Sequence, residues 1–394
     1  MVWATGLWQN PQDLLQDEYL KKYRAAHESD EIIGIIENRD LKKANILKQN
    51  GQTTWKYKAE NVMDFSFGTS DHYLWDATSL VVDSIRNRRV FVDAAYNPYS
   101  NDFYKVASIA RESIKNMSFV FPAIPFPYTK MTVFNGLSEM EYPMMVNDIS
   151  LANPSETVKL TSHEIFHTYF PFYSGLNETK YAWMDEGLTS YGESIIAKII
   201  DPEGYQGFYF MDIYQDKIGY DFDVPLFVNS EYIKKPVYYY NSYPKGAIFF
   251  KMLHELLGNE DFLKALHEFT DRWNGKHPIP HDFIYTIEDA TGQDLSWFIK
   301  PWLFEYGYVD FAITSIEQNK VIVEKMGNYP APIRIEMTFE NGKSQIINFT
   351  AGIWKSGNST YEIEAPLGMK LIGAELINLL GLDVNQKNDN HFKK

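Results

Sequence analysis

The chain has no cysteine. That excludes disulfide bonds and thiolate coordination, so any metal site has to be built from histidine and carboxylate. It leaves the compartment open, because cysteine-free chains occur on both sides of a membrane. No apolar run reaches the length of a membrane span. Residues 1–10 lack the basic and apolar blocks of a signal peptide. Basic charge is also in short supply: 37 Lys and Arg stand against 52 Asp and Glu, a net charge of −15. This argues against nucleic acid and anionic membrane as partners. It says little about a substrate, since a solvated acidic surface explains it. A length of 394 residues with 45% hydrophobic residues fits a globular protein of two or three domains with a large core. No fixed-period repeat or long low-complexity linker interrupts it.

What is present is concentrated in His163-Glu164-Ile165-Phe166-His167 and in Glu186, with 18 residues between His167 and Glu186. Nine histidines in the chain make such a pentapeptide rare by chance. On a helix, residues four apart share a face, so both imidazoles can address one ion. Glu164 adjoins the first ligand, where its carboxylate can reach a water on that ion. Trp183-Met184-Asp185-Glu186-Gly187 opens a second helical stretch. A third ligand there leaves one coordination position open, as a catalytic zinc site needs. The expectation is one zinc ion held by His163, His167 and Glu186. For the pentapeptide alone, the competing explanation is an amphipathic helix with two incidental histidines. Glu193 lies seven residues beyond Glu186 on the same helical face. It either orients a ligand from behind or is a surface carboxylate.

Around this motif the chain divides by pattern. Residues 1–50 read as helical and polar, with Leu14, Leu15, Tyr19, Leu20 and Tyr23 at helical spacing. Residues 53–67 alternate as a strand. Val90–Ala95 and Met131–Phe134 read as further strands, with a helix from Asp102 to Met117 between them. Asn153 is a cap, Pro154 a first helical residue and Glu156 the third member of a capping-box-like start to the motif helix. Residues 245–303 carry four amphipathic helical stretches, the first ended by Gly258, the third begun by Asp282 and the fourth by Asp294. After residue 309 the pattern alternates as strands, with a hairpin turn at Glu340-Asn341-Gly342-Lys343. A polar tail is expected over 385–394.

Together these residues resemble the aminopeptidase-N-type gluzincin zinc metallopeptidases, over about residues 50–380. Ser242-Tyr243-Pro244-Lys245-Gly246 resembles that family's Tyr-x-Lys-Gly segment, which implies Tyr243 as a catalytic residue steadying the tetrahedral intermediate. Ser138-Glu139-Met140-Glu141-Tyr142 resembles its Gly-x-Met-Glu-Asn segment. Met140 and Glu141 match it and Ser138 and Tyr142 do not. The resemblance implies that Met140 and Glu141 bind substrate, Glu141 by gripping a free amine. It also implies an α+β fold: a thermolysin-like, mostly helical catalytic domain with a small mixed sheet at 86–308, then a small C-terminal β-sandwich domain at 309–384. Residues 1–85 would be the remnant of an N-terminal β domain and its connection, as in a truncated fragment. The implied function is zinc-dependent aminopeptidase action on peptides, with Glu164 as general base. An endopeptidase or other zinc hydrolase with an open cleft is the alternative, and a catalytically silent peptide-binding protein a further one. Peptide is the expected partner, with no nucleic acid and no membrane span.

Overall fold

The structure, a computed structural model, describes residues 1–394 except 44, 49–52, 216, 379–380 and 393–394. The chain forms two compact units. The first holds residues 1–176, 192–207 and 270–278; the second holds 177–191, 208–269 and 279–394. No helix among the described residues is long and apolar enough to cross a membrane.

The first unit is built on a five-stranded mixed sheet in the order β1 (Ile33–Ile36), β2 (Leu74–Asp83), β3 (Arg88–Tyr96), β4 (Lys130–Asn135) and β5 (Met145–Asp148). The first three strands run antiparallel, and β4 and β5 add in parallel. β3 is buried without interruption from Val90 to Tyr96, which marks a strand covered on both faces. Helix α1 (Asp17–Ala26) buries Tyr19, Leu20, Tyr23 and Ala26 in an aromatic cluster with Trp3, Trp8, Trp75 and Phe91. Helix α2 (Val106–Phe119) buries a stripe of Ala107, Ala110, Ile114 and Met117.

The N-terminal region departs from the sequence pattern. Within residues 1–50, among the described residues, only Pro11–Leu14 and α1 are α-helical, and Val2–Ala4, Leu7–Trp8 and β1 are strands. The physical reason is tertiary: Trp3 and Trp8 are drawn into the aromatic cluster, and the β-branched run at Ile33–Ile36 completes a sheet edge. The strand expected at 53–67 is reduced to Tyr57–Lys58 and Phe67–Thr69, with Asn61 between them in a left-handed conformation (φ 56°). The boundary expected at 85/86 falls in the turn joining β2 to β3, where Asp83 pairs with Arg88. Residues 1–85 therefore supply two strands of the sheet that β3–β5 complete.

Helix α3 (Pro154–Phe166) follows β5 after a short loop. Asn153 caps it through Oδ1, which accepts from the Ser155 amide at 3.1 Å, and Pro154 occupies the first turn. Glu156 does not complete a box; it pairs with Lys159 at 2.9 Å. At the end of β5, buried Asp148 accepts a 2.8 Å hydrogen bond from the Thr161 hydroxyl of α3. Helix α4 (Ala182–Ile200) is continuous; its residues to Tyr191 belong to the second unit and those from Gly192 to the first.

The second unit carries helices α5 (Gly246–Leu257), α7 (Pro280–Thr291) and α8 (Ser296–Phe304). Helix α6 (Asn259–Trp273) begins in it. Gly258, at φ +78°, ends α5 where the sequence places the stop. Asp282 and Asp294 do not open their helices. Asp282 Oδ2 accepts from the Ile279 amide at 2.9 Å, and Asp294 Oδ1 from the Ser296 amide at 3.0 Å.

Beyond them lie β6 (Phe311–Glu317), β7 (Lys320–Lys325), β8 (Ile333–Phe339), β9 (Ser344–Phe349), β10 (Thr360–Glu364), β11 (Leu371–Leu376) and β12 (Asn390–Phe392). They form two antiparallel sheets, β6-β7-β10 and β9-β8-β11-β12. In β8 the buried residues alternate as Ile333, Ile335, Met337 and Phe339. The expected polar tail is not all free coil. β12 pairs with β11 at Glu375↔Asn390, Ala374↔His391 and Gly373↔Phe392, satisfying backbone groups that would otherwise form an open edge. Its last two residues lie outside the described ones.

Two outcomes follow for the elements that carry α3. Asn153→Ala should cost about 1 kcal/mol, seen as a lower Tm, while Asn153→Ser should be nearly neutral. Burial pushes the Asp148 carboxyl up to about 7, partly opposed by the Thr161 hydroxyl. A folded-state value above the unfolded one of about 3.9 contributes stability fully present below about pH 4. That contribution falls by about 1.4 kcal/mol per pH unit and is gone above about pH 7. Denaturation of wild type and Asp148→Asn across pH 4 to 9 should show wild type losing stability relative to the variant as pH rises.

Candidate active site

His163, Glu164 and His167 lie on the last turn of α3 and its C-cap. The helix breaks just beyond, because Phe170 leaves the helical region (φ −138°, ψ 106°) and Pro171 cannot supply an amide. The Phe170 carbonyl accepts from His167 Nδ1 at 3.1 Å. A carbonyl only accepts, so Nδ1 carries the proton and Nε2 of the neutral ring keeps a lone pair. His163 Nδ1 donates in the same way to Glu193 Oε2 at 3.1 Å. Glu193 is 3% exposed, a buried carboxylate rather than a surface one. It reaches His163 because α4 crosses α3 closely at Gly192, where a Cβ would fall 2.3 Å from the Phe166 ring.

The two Nε2 atoms then face each other at 3.2 Å. Nitrogens so placed can share one cation, a proton or a metal ion, without disturbing either outer bond. A tetrahedral zinc with bonds of 2.0–2.1 Å separates two ligand nitrogens by about 3.3–3.4 Å. The donor chemistry and the spacing both fit that ion.

Glu164 is buried on the same turn, and its Oε2 has no hydrogen-bond partner among the described residues. Burial pushes its carboxyl up to about 8; His163 and His167 oppose the shift, and Asp148 and Glu141 add to it. A carboxylate of raised proton affinity suits a general base near neutral pH. Glu141 is buried, whereas the Met140 side chain is 38% exposed. The backbone of Met140 pairs with Asn147 through bonds of 3.0 and 2.8 Å, so this segment extends the sheet beyond β5.

In the second unit, Glu186 lies near the start of α4 and Tyr243 in a wide π-type turn, Asn241–Lys245. Pro244 lacks the amide that a regular helix would use there. The Tyr243 hydroxyl donates a short hydrogen bond to Glu186 Oε1. Burial raises the Tyr243 pKa well above its ordinary value, and the Glu186 charge adds to the rise. Tyr243 therefore keeps its proton and donates a hydrogen bond at neutral pH. The approach depends on two glycines: a Cβ on Gly187 would sit 2.7 Å from the Gly246 Cα, and one on Gly246 would sit 2.8 Å from the Gly187 Cα. Each follows a residue of its motif closely, so their contact brings Tyr243 and Glu186 together.

Asp148 and Phe170 were absent from the sequence-derived set. Asp148 had a weak signal, a carboxylate ending the apolar strand Met145–Asp148. Phe170 had none, because its role is played by its backbone carbonyl.

A model of the peptidase family M1 domain matches residues 115–302. "Probable aminopeptidase 2" of Sulfurisphaera tokodaii is 21% identical over 232 residues, 55% of this chain and 30% of that protein. Aminopeptidase N of Escherichia coli is 38% identical over 65 residues, 16% of this chain and 7% of that protein. The crystal structure of Legionella pneumophila aminopeptidase A in complex with aspartic acid superimposes with a TM-score of 0.60 at 16% identity, covering 77% of this chain and 37% of that one. The chain thus spans less than a third of the length of these curated relatives, and the solved structure shares its mixed α/β fold of helical region and small sheets. The segment 115–302, just under half of the chain, contains the opposed histidines, Glu186 and Tyr243, and over that segment the chain matches the peptidase family M1 domain.

Proposed function

We propose that the chain is a zinc-dependent aminopeptidase that hydrolyses N-terminal peptide bonds. His163, His167 and Glu186 would hold one zinc ion, with Glu193 fixing the His163 ring. The observation that carries this reading is the opposed pair of imidazole Nε2 atoms, 3.2 Å apart with both Nδ1 positions already committed. Glu186 and Glu193 lie two turns, about 10 Å, apart on one side of a continuous helix, which supports a shared alignment toward the histidines. The same reading assigns residues 86–308, with β1 and β2 added, to a thermolysin-like catalytic domain, and 309–384 to a β-sandwich.

Zinc, when bound, acts as a Lewis acid that makes water more acidic and polarises a carbonyl. Glu164 takes a proton from the attacking water and passes it to the leaving amine. The Tyr243 hydroxyl turns from Glu186 to the oxyanion of the tetrahedral intermediate and donates a hydrogen bond there. Glu141, a buried carboxylate close enough to influence Glu164, binds the free α-amine of the substrate, with Met140 alongside it. A broader endopeptidase reading draws on the departures at Ser138 and Tyr142.

Free peptides should be hydrolysed and their N-acetylated counterparts should not; equal rates on both would remove the aminopeptidase assignment and favour the endopeptidase. Glu164→Gln should keep near-stoichiometric zinc by metal analysis while kcat falls about 10²–10⁴-fold. His163→Ala should lose the metal. Tyr243→Phe should lower kcat about 10²–10³-fold with little change in KM.

A further inference from the structure

Tyr243 sits in the middle of a five-residue turn whose two ends are tied to one loop. At one end Asn241, 1% exposed, donates from Nδ2 to the carbonyls of Val224 at 3.1 Å and Pro225 at 3.2 Å. At the other end Lys245, also 1% exposed, places Nζ 2.6 Å from Asp223 Oδ1 and 2.7 Å from the Val224 carbonyl. Its remaining donor meets the Tyr329 hydroxyl at 3.1 Å. Asp223 is saturated in turn, its Oδ2 accepting from the Tyr214 hydroxyl at 2.8 Å and from the Gly219 amide at 3.1 Å. Tyr329 passes the connection on to the Glu305 carbonyl at 2.9 Å.

A buried ion pair is a poor source of net stability, because desolvating two charges offsets most of their attraction. What a fully satisfied pair does is specify one arrangement of the backbone that carries it. The turn needs such specification: Pro244 interrupts the regular helical ladder, so local hydrogen bonding does not by itself determine where Tyr243 points. The Gly187–Gly246 contact sets the distance between backbones but not the rotation of the turn.

We propose that Asp223 and Asn241 are positioning residues for Tyr243, clamping both ends of its turn so that the hydroxyl is held where the oxyanion forms. Neither residue touches Tyr243 or a reacting atom; both act through the backbone between Asn241 and Lys245. The inference rests on the reading of Tyr243 as oxyanion donor, and it makes the lysine of the Tyr-x-Lys-Gly segment the link between the loop at 219–225 and the turn.

The test is a double-mutant cycle on the zinc-loaded chain, with kcat, KM and Tm measured for Asp223→Asn, Asn241→Ala, Tyr243→Phe and the two doubles. Asp223→Asn should lower kcat about 10–10²-fold with KM within about twofold, since the loss is confined to the transition state. In the Tyr243→Phe background the same change should cost less than about threefold, because the group it positions is gone. Asn241→Ala, which leaves no buried charge uncompensated, should show the same pattern at smaller amplitude and keeps the test valid if Asp223→Asn fails to fold. A full, additive loss in the Tyr243→Phe background would overturn the positioning role and leave Tyr243 as donor, as would unchanged kcat in a folded Asn241→Ala. Unchanged kcat in Tyr243→Phe would overturn the donor reading and the positioning role with it.

Discussion

The close opposition of two imidazole nitrogens is the feature around which the candidate site is built. His167 Nδ1 is committed to a backbone carbonyl and His163 Nδ1 to a buried carboxylate, so both Nε2 lone pairs are turned inward across 3.2 Å. Neither ring can change tautomer without giving up its outer hydrogen bond. A cation between them, a proton or a metal ion, is held without disturbing either bond. The helix break at Phe170, the close crossing at Gly192 and the burial of Glu193 all serve to maintain this opposition.

The second unit solves a different problem, the placement of a neutral hydroxyl. In its proposed role Tyr243 has to stay protonated and has to be aimed, and the two needs are met by different means. Burial next to the Glu186 carboxylate keeps the proton on. Aim comes from backbone geometry, through the glycine pair and the two clamped ends of the turn. A carboxylate that only accepts and a phenol O–H that donates to it form a stable resting pair. In the proposed mechanism a developing oxyanion offers the phenol a comparable acceptor.

Several elements of both units were readable from the sequence because local physics decided them. Asn153 and Pro154 cap the helix as their chemistry demands, Gly258 stops α5, and β8 alternates as its apolar spacing requires. The N-terminal fifty residues misled because their pattern was weak and long-range aromatic packing overrode it; Trp3 packs on Trp75, and Trp8 on Tyr23 and Trp75. The 385–394 segment misled for a related reason: a polar sequence carries no sign that its backbone completes a sheet edge.

The sequence by itself determined the side-chain types of the candidate site and their helical spacing, since the absence of cysteine and the periodicity of His163, His167, Glu186 and Glu193 are properties of the chain. The tertiary structure alone decided the tautomers of the two histidines, the raised proton affinity of Glu164 and the aim of Tyr243. Each of these depends on groups remote in sequence or on backbone atoms: Glu193 lies thirty residues from His163, the Phe170 carbonyl is no side chain at all, and Asp223 acts on Tyr243 only through Lys245. Residue type is written in the chain, but burial and hydrogen-bond partners exist only once it has folded.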